Sequence, residues 1–505
     1  MHAGVTKSFI PISGAVVSIF VMIVVMSGCG GSSDGDSGDS ASSSPVLTVG
    51  TESVPLPFDL PASAVLRASE KKVFAHYFSP YPISFDNAPS SQDNYATQFL
   101  SPSGESGIHQ AYGGMLRDRP VPRPPISDPN WMNLDYRTEV RQAKSAGLDG
   151  FTVDLLDLDG PQWGRFLNLL SATEAVDPAF DLVLTPDGAS DDIGRSPQRL
   201  ADALAGVGRR APIYHLADGR LVVAPVAPER EGAQWWKTFV DVMKADHGID
   251  VALVPTFVAN FGQNVDDFAP FSYGLSRWGW WSPSTNSLEG MREIADGARS
   301  RGKAYTEAVT VQSYRPYAQS FWEAGGLANL MATWQGAIAE QADAVQMVTW
   351  NDYSESTQFA PSLGNDHVPL DISSYYLTWY KTGHQPKIVR NVLYLANRSQ
   401  FVNAKPSRQT ALAVAQPGDA PVDQVEVVGF LAGPGVVRIH VGARTYEYKA
   451  DAGIRSFQVP LGTGPISAEL LVDGKSIAEV ASAHEVNAAP TTQDLTYYFS
   501  SSSRQ

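Results

Sequence analysis

Ala344-Val345-Gln346-Met347-Val348-Thr349-Trp350-Asn351-Asp352-Tyr353-Ser354-Glu355 is the stretch on which the reading of this chain turns. Its first five residues form the short apolar run of a buried strand. Polar, acidic and aromatic groups then crowd together at the carboxyl end. Trp, Asn, Asp, Tyr and Glu delivered to a loop are poor packing material. They suit sugar handling: aromatic rings stack on the apolar faces of pyranoses, and two carboxylates supply acid/base chemistry. Asp352 or Ser354 as a simple helix cap is the plainer alternative, but a cap does not require the two aromatics.

Upstream, the same pattern recurs. Apolar, β-rich runs lie at 73–78, 150–154, 181–185, 221–225, 251–255, 273–278 and 304–309, with 345–350 as the eighth. Continuous runs of this kind are the mark of parallel strands buried on both faces. Helical spacing lies between them at 134–146 before Gly147, 288–298 before Gly302, 327–342, and 372–380 before Gly383. Strands alternating with helices over some 300 residues predict an α/β fold, a (β/α)8 TIM barrel. Polar residues gather after successive strands: His76 and Asp86, Asp154 and Asp157, Asp187, Glu229, Trp280 and Trp281, Glu307, then Asp352 and Glu355. A barrel places its active site at that face. After Gly383 the texture changes to short β-type runs at 387–394, 424–430, 436–441, 445–448, 456–459, 468–472 and 476–480, punctuated by Gly-Pro and Asp-Gly. Closely spaced strands without helices predict a C-terminal β-sandwich. The expected division is a barrel over 47–384 and a sandwich over 385–505.

Net charge is −16, from 37 basic and 53 acidic residues. No Lys/Arg cluster stands out, which argues against nucleic acid as a partner. Eleven Trp and 19 Tyr suit a neutral polysaccharide partner. The single cysteine is Cys29, preceded by Lys7, an apolar run from Phe9 to Met26, and Ser27-Gly28. This resembles a bacterial lipoprotein signal peptide over 1–28, with Cys29 lipidated after cleavage. The expected localisation is extracytoplasmic, anchored by lipid to the outer membrane or cell surface. An uncleaved transmembrane anchor is the alternative. Residues 29–46 are Gly, Ser and Asp with almost nothing apolar, the composition of a flexible tether.

Glycoside cleavage needs a protonated acid beside the leaving oxygen and a second carboxylate across the sugar. Asp352 and Glu355, three residues apart in a loop leaving a strand, are a candidate pair, and Glu307, Glu323, Asp187 and Asp154 at the same face can compete for a role. His76, Asp154, Asp187, Glu307, Glu323 and Asn351 are expected to line the substrate site, each also readable as a structural hydrogen-bond or ion-pair partner. Trp278, Trp280, Trp281, Trp322, Trp350 and Tyr353 are the candidate sugar platforms. The sequence has no HExxH, no P-loop and no GxSxG beside a plausible strand, and the nine His show no metal spacing, so no cofactor or metal is expected. Asp157-Leu158-Asp159-Gly160 hints at calcium but reads better as a turn.

Trp350-Asn351-Asp352-Tyr353-Ser354-Glu355-Ser356 resembles the Trp-Asn-Asp-Tyr-Gly-Glu-Ser signature of glycoside hydrolase family 71, the α-1,3-glucanases, with Ser354 in place of Gly. Val73-Phe74-Ala75-His76, Gly147-Leu148-Asp149-Gly150-Phe151, Pro186-Asp187, His367, and Tyr375-Tyr376 through Lys381-Thr382-Gly383 are similar too, so the likeness covers about 71–400. The resemblance implies a (β/α)8 barrel with a β-sandwich and inverting endo-hydrolysis of α-1,3-glucan, with the catalytic pair on Asp352 and Glu355. Two other readings stand beside it: a surface lipoprotein that binds polysaccharide without cleaving it, and an endo-hydrolase of another linkage such as mannan.

Overall fold

All six residues of Gly150–Leu155 are buried, as are five of six in Lys72–Tyr77 and in Asp181–Pro186. Such segments become interior strands because both of their faces meet apolar partners. The computed structural model describes residues 56–259 and 261–504. The expected signal peptide, the tether and Cys29 lie outside the described residues. In chain order the first strands are β1 (Lys72–Tyr77), β2 (Gly150–Leu155), β3 (Asp181–Pro186), β4 (Leu221–Val223), β5 (Val251–Leu253), β6 (Thr256–Phe257), β7 (Gly274–Arg277) and β8 (Ala304–Thr310). A short hairpin follows, β9 (Tyr314–Arg315) and β10 (Ser320–Phe321), and then β11 (Ala344–Val348).

Nine of these form one parallel sheet in the order β5-β4-β3-β2-β1-β11-β8-β7-β6. The expectation of eight strands in a closed ring is therefore met only in part: the ladder is a nine-stranded half-barrel. Its two ends, β5 and β6, are separated in the chain by Val254-Pro255 alone. Proline has no N–H to give to a ladder, and this splits the run expected as one strand at 251–255. Between strands run helices at Trp131–Ser145, Pro161–Val176, Pro197–Val207, Ala233–His247, Leu288–Arg299, Ala328–Ala339 and Val368–Thr382. The last stops at Gly383, left-handed at φ +74°, a conformation open to glycine without steric cost.

The two-residue period of a strand decides which side chains meet the helices and which meet the site. Val73, Ala75 and Tyr77 of β1, Phe151, Val153 and Leu155 of β2, and Tyr305 and Val309 of β8 join the main core under the helices. Phe74, Val183, Val222, Ala224 and Ala252 face the other way and form a small inner cluster. His76 and Asp154 share that inner parity, one step nearer the carboxyl ends of their strands.

The C-terminal strands are β12 (Val392–Asn397), β13 (Val414–Ala415), β14 (Gln424–Leu431), β15 (Gly435–Val441), β16 (Arg444–Ala450), β17 (Gly453–Pro460), β18 (Ile466–Val472), β19 (Lys475–Ala481) and β20 (Tyr498–Ser501). They build two four-stranded sheets, β17-β14-β12-β20 and β16-β15-β18-β19, antiparallel throughout. Leu393, Leu395, Val425 and Val427 of the first share an apolar filling with Val437, Ile439, Ile466 and Leu470 of the second. The first sheet is also welded to the half-barrel. Tyr394, Val428, Phe430 and Phe499 belong to the main core, with Phe430 5.1 Å from the ring of Tyr375. β13 leaves its own region and pairs in parallel with β10, so a C-terminal segment lies against the loop after β8.

Candidate active site

The inward residues of β1 and β2 form the floor of the site. His76 Nε2 lies 3.8 Å from Asp154 Oδ2, and its Nδ1 lies 3.3 Å from Thr152 Oγ1 and 3.4 Å from Gln346 Nε2. Trp278 meets the imidazole edge to face at 4.8 Å. Burial drives the His76 pKa down to about 4 against the pull of Asp187 and Asp352, so the ring is neutral at pH 7. Asp187, one residue past β3, accepts from the Ala189 N–H at 2.7 Å. Burial, and then the charge of Asp154, pushes its carboxyl up to about 7. Burial likewise raises Asp154 well above the carboxylate range, with Asp352 adding to the effect, and its Oδ1 has no hydrogen-bond partner among the described residues.

Asp352 and Glu355 come from the loop leaving β11. Asp352 Oδ1 accepts from the Ser354 N–H (2.9 Å), the Ser354 hydroxyl (2.6 Å) and the Glu355 N–H (3.2 Å). This Asx-turn folds the loop back on itself, and the charge of Asp352 reaches Glu355. Glu355 Oε2 lies 2.8 Å from the Arg315 guanidinium, and Tyr317 faces the same carboxylate. Burial raises both acids. Ser354 is the chief opposing partner of Asp352 and Arg315 that of Glu355, while the charge of Asp352 raises Glu355 further.

Several expected sugar contacts are structural instead. Trp350 is wholly buried, packed 5.1 Å from Phe151, with its indole N–H on Glu139 at 3.3 Å. Tyr353 is buried beside Tyr81 and Tyr95. Neither ring is free to stack on a pyranose. Asn351 accepts from the Phe78 N–H at 2.7 Å and donates to the Tyr81 carbonyl at 2.9 Å, tying the loop after β1 to the loop after β11. Glu307 shares the parity of Tyr305 and Val309 and therefore points to the helix side. It accepts from the Tyr305 hydroxyl and the Ala308 N–H and faces Arg277 at 3.7 Å. Glu323 is spent on the C-terminal region: Arg398 at 2.9 Å, the Tyr497 hydroxyl at 2.7 Å and the Val422 N–H at 3.1 Å. Trp281 is buried against Trp322 at 5.1 Å and Arg315 at 4.7 Å. Of the expected platforms, Trp280 is exposed, while Trp278 and Trp322 are half-buried.

Asp157 caps the helix Pro161–Val176, accepting from the Trp163 N–H at 2.7 Å and the Gln162 N–H at 3.2 Å. Its calcium-like spacing is therefore a capping pattern. Glu229 binds the Val258 and Ala259 N–H groups and Asp86 the Asn94 N–H, both local loop roles. The residues that sequence reasoning missed are Arg315, Tyr317 and Tyr81. A signal existed for the first two: Tyr314-Arg315-Pro316-Tyr317 follows an apolar strand and sets a cation among aromatics. Tyr81, whose ring packs against Tyr353, gave none.

Residues 127–502 match the sequence profile of Glycosyl hydrolase family 71, a span that holds Asp154, Asp187, Arg315, Asp352 and Glu355 and begins after β1. Glucan endo-1,3-alpha-glucosidase agn1 of Schizosaccharomyces pombe (strain 972 / ATCC 24843) is 24% identical over 359 residues, covering 65% of this chain and 81% of that protein. The Ascus wall endo-1,3-alpha-glucanase of the same organism is 22% identical over 375 residues, covering 65% and 82%. Among solved structures, the GH99 endo-alpha-mannosidase from Bacteroides thetaiotaomicron aligns with a TM-score of 0.48 at 13% identity, over 61% of this chain and 97% of that one. With the profile match extending over most of its length, this chain belongs to glycosyl hydrolase family 71 and is a glycoside hydrolase.

Proposed function

We propose that the protein hydrolyses α-1,3-glucan within the polymer and with inversion, Glu355 protonating the leaving oxygen and Asp352 activating water. The observation that carries this reading is the buried pair itself, held by two different sets of partners. Three donors converge on one oxygen of Asp352, which favours its charged form. Glu355 is pushed toward its protonated form by burial and by the charge of Asp352, with Arg315 opposing. Two carboxyls with such unlike partners divide into acid and base. His76, Asp154 and Asp187 offer buried polar atoms to sugar hydroxyls, and Trp278, packed on His76, offers a ring beside them. The α-1,3 linkage is supported by family membership and by the activities in the names of both relatives.

The finer fold belongs to the same proposal. We read β5 and β6 as halves of one strand, a reading supported by the parallel bridge from Val226 to Thr256, which joins the β4 side of the sheet to β6. The sheet is then a (β/α)8 barrel, and the two antiparallel sheets are a β-sandwich.

The test is a screen of the purified 47–505 fragment against α-1,3-glucan, other α-glucans, β-glucans and mannan. Reducing ends should appear from α-1,3-glucan with the β-anomer as first product. Binding without cleavage would support a non-catalytic surface protein, and cleavage of mannan would overturn the linkage. We further propose that Cys29 carries the lipid anchor at the cell surface. Wild-type protein should take up labelled acyl chains and lose its N-terminal segment, and Cys29→Ser should do neither. Wild-type protein that takes up no acyl label and keeps its N-terminal segment would indicate a transmembrane anchor.

A further inference from the structure

Two buried carboxylate–guanidinium pairs lie close together in the chain, and they are built differently. Glu323 and Arg398 form a closed ion pair: both carboxylate oxygens accept hydrogen bonds, and Arg398 also donates to the Leu495 and Val422 carbonyls. Glu355 and Arg315 form an open one. The guanidinium is 2.8 Å from Glu355 Oε2, yet that buried oxygen receives no aligned hydrogen bond among the described residues. A carboxylate that is fully hydrogen-bonded has no place for a proton, whereas Glu355 keeps one.

What holds Arg315 is not its acid. Its Nε donates to Ser313 Oγ at 3.0 Å, and its guanidinium lies 4.7 Å from the ring of Trp281 and 5.1 Å from that of Trp322. The two indoles contact each other at 5.1 Å. A weakly hydrated planar cation is suited to such a place, where an ammonium is not. Trp322 is followed by Glu323, so the closed pair with Arg398 anchors the segment that presents the indole. The Arg315 side chain is only 6% exposed, and its charge acts across a gap from which water is largely excluded.

We infer that Arg315 is a positioning residue for this hydrolase: clamped by Trp281 and Trp322, it places Glu355 and supplies the fixed charge against which Glu355 exchanges its proton. This inference rests on the reading of Glu355 as the proton donor. The groups facing Glu355 are Arg315, Asp352 and Tyr317. Asp352 in turn faces Arg315, Ser354, Tyr81, Tyr317, His76 and Asp154. Without the cation, burial and the charge of Asp352 act on Glu355 against Tyr317 alone, so it holds its proton to higher pH. A donor active when protonated then keeps its activity further into the alkaline range, while delivering the proton less readily.

The experiment is the pH dependence of kcat/KM on the glucan that the wild-type enzyme cleaves, for Arg315→Met and Arg315→Lys. In Arg315→Met the alkaline limb should move up by about 1–3 pH units, the range for loss of an adjacent opposite charge. The plateau of kcat should fall ~10-fold or more while KM changes less. Arg315→Lys should shift the limb in the same direction but by less. An alkaline limb unmoved in a folded Arg315→Met overturns the inference. If Arg315→Met does not fold, an unmoved limb in Arg315→Lys together with wild-type kcat does so. Carboxyl NMR of 13C-glutamate-labelled protein, with Glu355→Gln to assign the signal, follows the same titration without turnover. A wild type that cleaves no glucan would defeat the functional reading, and the NMR titration would still decide the role of Arg315.

Discussion

Asp352→Asn and Glu355→Gln should each lose at least ~10²-fold in turnover on the true substrate, with modest change in melting temperature. A general acid or base contributes about 10²–10⁴-fold to rate. A residue that only closes a turn contributes about 1 kcal/mol to stability and little to rate. The amides keep size and an acceptor oxygen. In Asp352→Asn the side-chain carbonyl would still be available to the Ser354 and Glu355 donors, so the turn should survive while proton exchange does not. A substrate whose leaving group needs no protonation, such as an oligoglucosyl fluoride, separates the roles. Glu355→Gln should recover most of its activity on it, and Asp352→Asn should not. Near wild-type turnover in either variant removes that residue from the chemistry. Glu307 and Glu323 are not the next candidates, since one faces the helices and the other is bound to Arg398. Asp154 and Asp187 are.

Truncation at residue 384 should leave no soluble, active protein. The cut removes Arg398, Tyr497 and the Val422 N–H from Glu323, a carboxyl that is 2% exposed and would keep only the Gly325 N–H. Stripping the partner from a buried ion pair costs about 3–5 kcal/mol. The Leu327 N–H loses Glu426, Tyr314 loses the Gln493 carbonyl, and Asp371 loses Arg504. Tyr394, Val428, Phe430 and Phe499 are also taken from the main core, uncovering Tyr375. Domains of this kind hold only about 5–15 kcal/mol in total, so these losses exceed what the remainder can bear. Expression of 47–384 with soluble yield, circular dichroism and activity is the check. A folded and fully active fragment would show that the C-terminal sheets are an independent module.

Read alone, the sequence placed the long strands, the helix stops at glycines and the antiparallel texture after Gly383, because those features depend on local periodicity and backbone preference. β1, β2, β3, β8 and β11 start and end within about two residues of their expected runs. The Asp352/Glu355 loop was legible for the same reason: a polar cluster closing an apolar run is a one-dimensional signal. What the sequence could not rank was which nearby acids and rings turn toward that loop. Glu307 and Asp154 look alike in a list of residues, but alternation along β8 sends one to the helices and alternation along β2 sends the other to the site. Glu323 and Glu355 both meet an arginine, and only the fold brings Arg398 from the C-terminal region to close the first pair. Trp350 and Tyr353 carry the signature, yet their rings are core, since a loop that must hold two carboxylates in place needs its own aromatics for anchorage. Periodicity is written along the chain. Burial, facing and partnership arise when distant segments meet, and those contacts, not residue type, separate the acids that face the candidate site from the acids that hold the structure.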